Sequence, residues 1–212
     1  MPCRMPRAAY PIPSVLSVGC GLDTRPWRLD LPSTLRWIEV DFADVLDYKD
    51  RHLSGETPHC RRERLTVDLN DPAQRRVMYE EAGPAPALMI TEGVLMYLPA
   101  ATVEALAAES SNHCGIAHWI SDITTTAFTK AIGAGGDTMR PIRQVQASDA
   151  PKGEQILDVL GRHGWTTAAR RSYITDIAFA LDRVRRTMGG NAPRPLPLSP
   201  DDPTGLHRFA RG

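Results

Sequence analysis

SVLSVGCGLDTRPWRL, residues 14–29, decides how the fold is read. Its opening, SVLSVGC, is a short apolar run closed by glycine, the pattern of a buried strand. Gly19 and Gly21 stand at the end of that run, where glycine lets the backbone turn sharply and come close to a ligand. RWIEVDF (36–42) is a second such run and ends in acids. Behind it, residues 43–53 place Leu46, Lys49 and Leu53 along one helical face, with Val45 beside them. RERLTVDL (62–69) predicts a third strand. In DPAQRRVMYEEAG (71–83), Asp71 is a cap, Pro72 takes the first helical position and Gly83 follows the last turn, so a helix is predicted.

The alternation continues downstream. ALMITEGVLMYL (87–98) begins as a fourth strand, and TVEALAAE (102–109) puts Val103, Leu106 and Ala107 on one helical face. GIAHWISDI (115–123) is a fifth strand, GEQILDVLGRHG (153–164) a helix closed by glycine, and WTTAARRSYI (165–174) a sixth strand. Ile177, Leu181, Val184 and Met188 follow at helical spacing, and LHRFARG (206–212) predicts a last edge strand. Strand alternating with helix means an α/β fold: a Rossmann-like, doubly wound, mostly parallel seven-stranded sheet with helices on both faces. The strands are rich in Val, Ile and Leu, which fits burial on both sides. One domain spans 1–212, with a lead-in at 1–13, a substrate-side segment at 124–151 and a Pro-rich loop at 189–204.

Composition narrows the class. Lys and Arg total 25 and Asp and Glu total 25, which argues against a nucleic-acid binder relying on bulk positive charge, though not against a local basic patch. Aromatic residues are only 6% of the chain, which argues against stacking platforms for single strands. No apolar run approaches the roughly 20 residues of a membrane span, and MPCRMPRAAYPIP at the N-terminus lacks the apolar core of a signal peptide. Cys3, Cys20, Cys60 and Cys114 form no CxxC and match no zinc spacing, so free thiols in a reducing cytoplasm are expected.

Ligands of open α/β sheets bind outside the carboxyl ends of the strands, at the point where strand order reverses. The first strand delivers Gly19 and Gly21 to that edge, the second Glu39 and Asp41, the third Asp68 and Leu69, the fourth Glu92. An acid about 20 residues after a glycine turn is where a ribose is held. Glu39 competes with Asp41 for that role, and the residue nearer the strand end is favoured. GCGLDTR has Thr24 where the dinucleotide fingerprint has its third glycine, and it carries Asp23 in the turn. An acid is unfavourable beside a pyrophosphate but tolerable beside an amino-acid ammonium. The pattern therefore favours S-adenosyl-L-methionine, and hence a methyltransferase, over a nicotinamide cofactor and a dehydrogenase.

VLSVGCGLDTRPWRL (15–29), RWIEVDFADVLDYK (36–49), LTVDLND (65–71) and ITEGVLMYLP (90–99) resemble the leucine carboxyl methyltransferase family. They are most similar to its bacterial branch, which includes tetracenomycin-type polyketide O-methyltransferases. HGW at 163–165 resembles the family's turn into its sixth strand. The resemblance implies a class I fold and S-adenosyl-L-methionine-dependent O-methylation of a small-molecule carboxylate or hydroxyl, with no nucleic-acid or membrane partner. It implies cofactor contacts from Gly19, Gly21, Asp41, Asp68, Leu69 and Glu92, with Asp41 on the ribose, Asp68 and Leu69 against the adenine and Glu92 near the methionine end. The family has Ala at the place of Cys20. It also carries a longer helical segment before the first strand, with a basic side chain for the cofactor's carboxylate. Here that task falls to Arg4, Arg7 or Arg25, or to a segment upstream of a truncated start. A cofactor-binding module without turnover is the alternative reading.

Other clusters carry less. His113, Cys114 and His118 match no metal site, and no metal is expected. Ser110 and Ser111 lack the nucleophile elbow of a hydrolase. GAGGD (133–137) is no phosphate loop. Arg170, Arg171, Arg183, Arg185 and Arg186 read as solvated faces. No catalytic residue is identified, although Arg25 and Tyr97 are within reach as candidates for a base.

Overall fold

The computed structural model describes residues 12–133, 146–188 and 197–212. Seven strands form one sheet in the order β3-β2-β1-β4-β5-β7-β6. They are β1 (Ser14–Val18), β2 (Arg36–Asp41), β3 (Arg61–Thr66), β4 (Ala87–Thr91), β5 (Ile116–Ile123), β6 (Trp165–Ser172) and β7 (Gly205–Arg211). Strands β1 to β5 pair parallel, and β7 is antiparallel to both β5 and β6. The order reverses between β1 and β4, so a crevice opens there at the carboxyl edge.

The helices are α1 (Arg25–Arg28), α2 (Ala43–His52), α3 (Pro72–Ala82), α4 (Ala100–Asn112), α5 (Thr126–Gly133), α6 (Gly153–Arg162) and α7 (Tyr173–Met188), with a 3-10 turn at Leu95–Tyr97. The Asp71 side chain accepts the Ala73 N–H at 2.8 Å, so α3 begins where the sequence indicates. One face of the sheet buries Leu16, Val18, Ile38, Val40 and Met89 with Met78, Leu106 and Leu160 of the helices. The other face packs Val15, Trp37, Ile90 and Cys60. Each large apolar side chain fully buried this way contributes about 1.5–3 kcal/mol. All five residues of β1 are buried, as its apolar sequence requires, whereas RRERLT in β3 stays half-open and forms an edge.

Several predicted boundaries move. The third strand ends at Thr66, not Leu69, so Val67, Asp68 and Leu69 leave the sheet and line the crevice. The sixth ends at Ser172, and Tyr173 opens α7. The last strand is not an edge: β7 lies between β5 and β6. Phe209 and His207 of β7 are buried, while β6 buries only Trp165, so the six polar or small residues after Trp165 are what faces outward. Spatial order follows burial here, not chain order. Part of the 124–151 segment is helix α5, and at its far end the Ala147 N–H donates to Tyr97 O at 3.0 Å. Residues 134–145 of that segment, 189–196 of the Pro-rich loop and 1–11 of the lead-in lie outside the described residues.

Candidate active site

The turn after β1 is stitched to the end of β2. Gly19 has φ 63° and Gly21 φ 46°, left-handed values that favour glycine. The Gly21 N–H donates to Asp41 Oδ2 at 2.7 Å, the Phe42 N–H to Asp41 Oδ1 at 2.8 Å, and the Cys20 N–H to Val40 O at 3.1 Å. A Cβ on Gly19 would lie 2.4 Å from Val94 Cγ2, so the loop after β4 comes up against bare backbone. Gly21 lines no described cavity; its amide orients Asp41.

Two cavities meet at Gly19. One, of about 230 Å3, is lined by Asp41, Phe42, Asp68, Leu69, Gly93 and Tyr97. The other, of about 320 Å3, is lined by Cys20, Asp23, Arg25, Arg28 and Glu92. Together they fall within the range of small-ligand sites, roughly 300–1,000 Å3.

In the first cavity, each Asp41 oxygen accepts one backbone N–H and keeps further acceptor capacity. Asp68 Oδ1 accepts the Asn70 N–H at 2.9 Å, and its other oxygen has no partner among the described residues. The loop carrying it is tied down by side chains. Asp68 N–H donates to Gln74 Oε1 at 2.8 Å, and the buried Arg75 donates to Leu69 O at 2.7 Å. Arg75 is itself paired with Glu109 at 2.9 Å.

In the second cavity, Arg25 is paired with Glu92 at 2.6 Å and with Asp23 at 2.7 Å. The turn acid Asp23 is therefore balanced internally. Arg25, read from sequence as a carboxylate holder or base, is committed to two acids instead. Arg4 and Arg7 lie outside the described residues. Arg28, which the sequence reading passed over, lines this cavity, exposed and with no charged partner among the described residues. Its signal was available: Arg28 lies one helical turn past Arg25, so the two side chains share a face. Tyr97 lines the first cavity, away from Glu92.

Glu39 does not compete with Asp41. It is wholly buried, with Lys49 Nζ at 2.6 Å and Arg62 Nη2 at 2.7 Å. The Trp27 ring lies 4.9 Å from the Arg62 guanidinium and 5.6 Å from Lys49 Nζ. This network underlies the glycine turn. Burial, reinforced by Glu39, pushes the Cys20 thiol up to about 12, so it stays a neutral thiol.

One acid at the edge was not singled out from sequence. Asp122, near the end of β5, accepts the Gly93 N–H at 2.7 Å. Burial raises its carboxyl above the ordinary value, and Glu92 adds to the rise. Burial, with Asp122 and Glu92, pushes the Tyr173 phenol up to about 12. The rule that selects Asp41, Asp68 and Glu92, an acid at the carboxyl end of a strand, selects Asp122 equally.

Elsewhere, no group of three His, Cys, Asp or Glu is placed to hold a metal among the described residues. Cys20, Cys60 and Cys114 are free thiols. No helix among the described residues is long and apolar enough to cross a membrane.

A seven-stranded sheet of this order, with its crevice behind the first glycine turn, is the fold of class I methyltransferases. The sequence model of the leucine carboxyl methyltransferases matches residues 8–110, just under half of the chain, and over that stretch the chain is similar to the family. A protein of Streptomyces avermitilis, provisionally named as an S-adenosyl-L-methionine-dependent methyltransferase, is 38% identical over 107 residues, 49% of this chain and 38% of that protein. The tetracenomycin polyketide synthesis O-methyltransferase TcmP of Streptomyces glaucescens is 33% identical over 111 residues, 50% of this chain and 37% of TcmP. The matches thus span less than two fifths of either relative's length. Among solved structures, NcsB1, an O-methyltransferase of neocarzinostatin biosynthesis in complex with S-adenosylmethionine and 2-hydroxy-5-methyl naphthoic acid, shares the fold. Its TM-score is 0.51 at 15% identity, over 95% of this chain and 49% of NcsB1.

Proposed function

We propose that the chain binds S-adenosyl-L-methionine across the two cavities and transfers its methyl group to an oxygen of a small molecule. The observation that carries this is the pair of cavities joined at Gly19, with unequal polar linings. The first offers Asp41 and Asp68 oxygens with acceptor capacity to spare, which suits ribose hydroxyls and an adenine amine. The second offers Arg28 for a carboxylate and Asp23 and Glu92 for an ammonium and a sulfonium. Gly19, Gly21, Asp41, Asp68, Leu69 and Glu92 form the binding set on this reading, with Gly21 acting through Asp41.

The bound sulfonium supplies an electrophilic methyl group. What remains for the protein is alignment and exclusion of water. Leu69 and Val94 present an apolar wall, and the loop that carries Asp68 is held by Gln74 and Arg75. TcmP and NcsB1 are both O-methyltransferases of natural-product pathways by name, which supports oxygen as the accepting atom here. Calorimetry with S-adenosylhomocysteine and with NAD tests the cofactor: tight binding of the first and none of the second is expected. A labelled methyl donor offered with small phenols and carboxylates tests turnover. Binding without any transfer would favour the module that holds the cofactor and does no chemistry.

A further inference from the structure

The second cavity is lined by Asp23, Arg25, Arg28 and Glu92, two formal charges of each sign. They are not shared evenly. Arg25 takes both acids: its Nε lies 2.7 Å from Asp23 Oδ2, and its Nη2 lies 2.6 Å from Glu92 Oε2. Arg28 has no charged partner among the described residues. The two pairs of Arg25 also differ in how firmly they are made. Asp23 is bound twice by the same residue, because its Oδ1 accepts the Arg25 backbone N–H at 3.0 Å. That ring closes within three residues of chain, and the Asp23 side chain is only 14% exposed. Glu92 comes from the loop after β4, and its side chain is 35% exposed. The Arg25–Glu92 pair is therefore the one that another cation can break, with Asp23 keeping hold of Arg25. The Trp37 ring, 5.8 Å from the Arg25 guanidinium, offers that group a second resting contact.

We propose that Arg25 is the resident cation of the ammonium subsite: its guanidinium holds Glu92, and the cofactor's ammonium takes Glu92 from it by exchange. The inference rests on the reading of this cavity as the methionine end of the S-adenosyl-L-methionine site. The exchange breaks one charge-assisted pair and forms another, so the ammonium adds little net affinity. The carboxylate displaces no charged partner at Arg28 and gains a full charge-assisted contact. The cavity therefore selects its ligand by the carboxylate, and Arg25 masks the preference of Glu92 for an ammonium. Arg25 on this account sets cofactor specificity through Glu92, without itself holding the cofactor.

The test is calorimetry with four ligands: S-adenosylhomocysteine, its deaminated and decarboxylated analogues, and methylthioadenosine, which lacks the amino-acid end. Wild type should lose about tenfold or more in affinity on decarboxylation and less than about threefold on deamination. Arg25→Met keeps an apolar stem against Trp37 and removes the charge. In that variant deamination should cost about tenfold or more, while methylthioadenosine binds as it does to wild type. Adding Glu92→Gln to Arg25→Met should take back most of that cost. A wild type that loses more from deamination than from decarboxylation overturns the inference, whether or not the variants fold. So does an Arg25→Met protein in which deamination costs no more than in wild type, because Arg25 would then orient Glu92 and not compete with the ligand. An equal change for methylthioadenosine would trace the effect to the turn as a whole, and no reduction on adding Glu92→Gln would move the ammonium off Glu92; either overturns the exchange. Wild type that binds neither S-adenosylhomocysteine nor methylthioadenosine overturns the cofactor reading beneath it.

Discussion

Replacing Gly19 by alanine tests the geometry at the centre of the crevice. Two effects add. At φ 63° a Cβ is strained, and the left-handed conformation costs about 1–2 kcal/mol for a residue with a side chain. The new Cβ would also lie 2.4 Å from Val94 Cγ2 and 3.3 Å from Val94 Cγ1. Val94 is β-branched and nearly buried, so it has no free rotamer to move into. Overpacking of this kind costs about 1–3 kcal/mol, giving about 2–5 kcal/mol for Gly19→Ala. Gly21→Ala is the internal control. Its φ is 46°, but a Cβ there meets nothing within 4 Å, so only the backbone strain applies. For a chain of this size each kcal/mol lowers Tm by roughly 2–4 °C, so thermal and urea denaturation separate the two variants readily. Val94→Ala in the Gly19→Ala background removes the clashing atoms and should restore about 1–3 kcal/mol relative to additivity. Equal losses at the two glycines, or no recovery in the double variant, would refute this account of the turn.

The other predictions concern single charges. Lys49→Ala leaves Glu39 buried with Arg62 as its remaining cation, and urea denaturation should show a loss of about 3–5 kcal/mol, nearer the lower figure because Arg62 stays; a loss under about 1 kcal/mol would contradict the buried network. Asp68→Ala should weaken S-adenosylhomocysteine binding by about 1.5–3 kcal/mol in calorimetry while leaving Tm nearly unchanged. Arg28→Ala should cost a similar amount for S-adenosylhomocysteine and very little for decarboxylated analogues, which lack the group it would hold. Asp122→Asn should raise Tm at neutral pH. The folded state holds the Asp122 proton more tightly than the unfolded chain, so stability falls as pH rises from the unfolded value of 3.8 through the higher folded one. Below 3.8 both states are protonated and the two proteins should melt alike; an equal gain at every pH would point to packing, not charge.

Periodicity and end residues were enough to read the alternating elements, the parallel sheet and its carboxyl edge. Val15, Leu16 and Val18 can only be a buried strand, Asp71 and Pro72 start a helix, and Gly19 and Gly21 open a turn; each of these is a local property of a few neighbouring residues. The acids at strand ends were legible for the same reason. What each acid is bonded to was not. Glu39 and Asp41 lie two apart on one strand and look interchangeable, yet Lys49 and Arg62, from α2 and β3, enclose the first, while the Gly21 amide turns the second to the cavity. Arg25 looked available until Glu92, just past a strand and 67 residues on, paired with its Nη2 at 2.6 Å. The last strand looked like an edge because it ends the chain, whereas burial of Phe209 draws β7 between β5 and β6 and so sets the chain around Asp122. Short-range patterns determine which element forms and which way its side chains alternate, because neighbouring residues set backbone preference. Which charge is neutralised and which is left facing the crevice depends on groups brought together by the sheet from distant parts of the chain, and only the tertiary structure decides it.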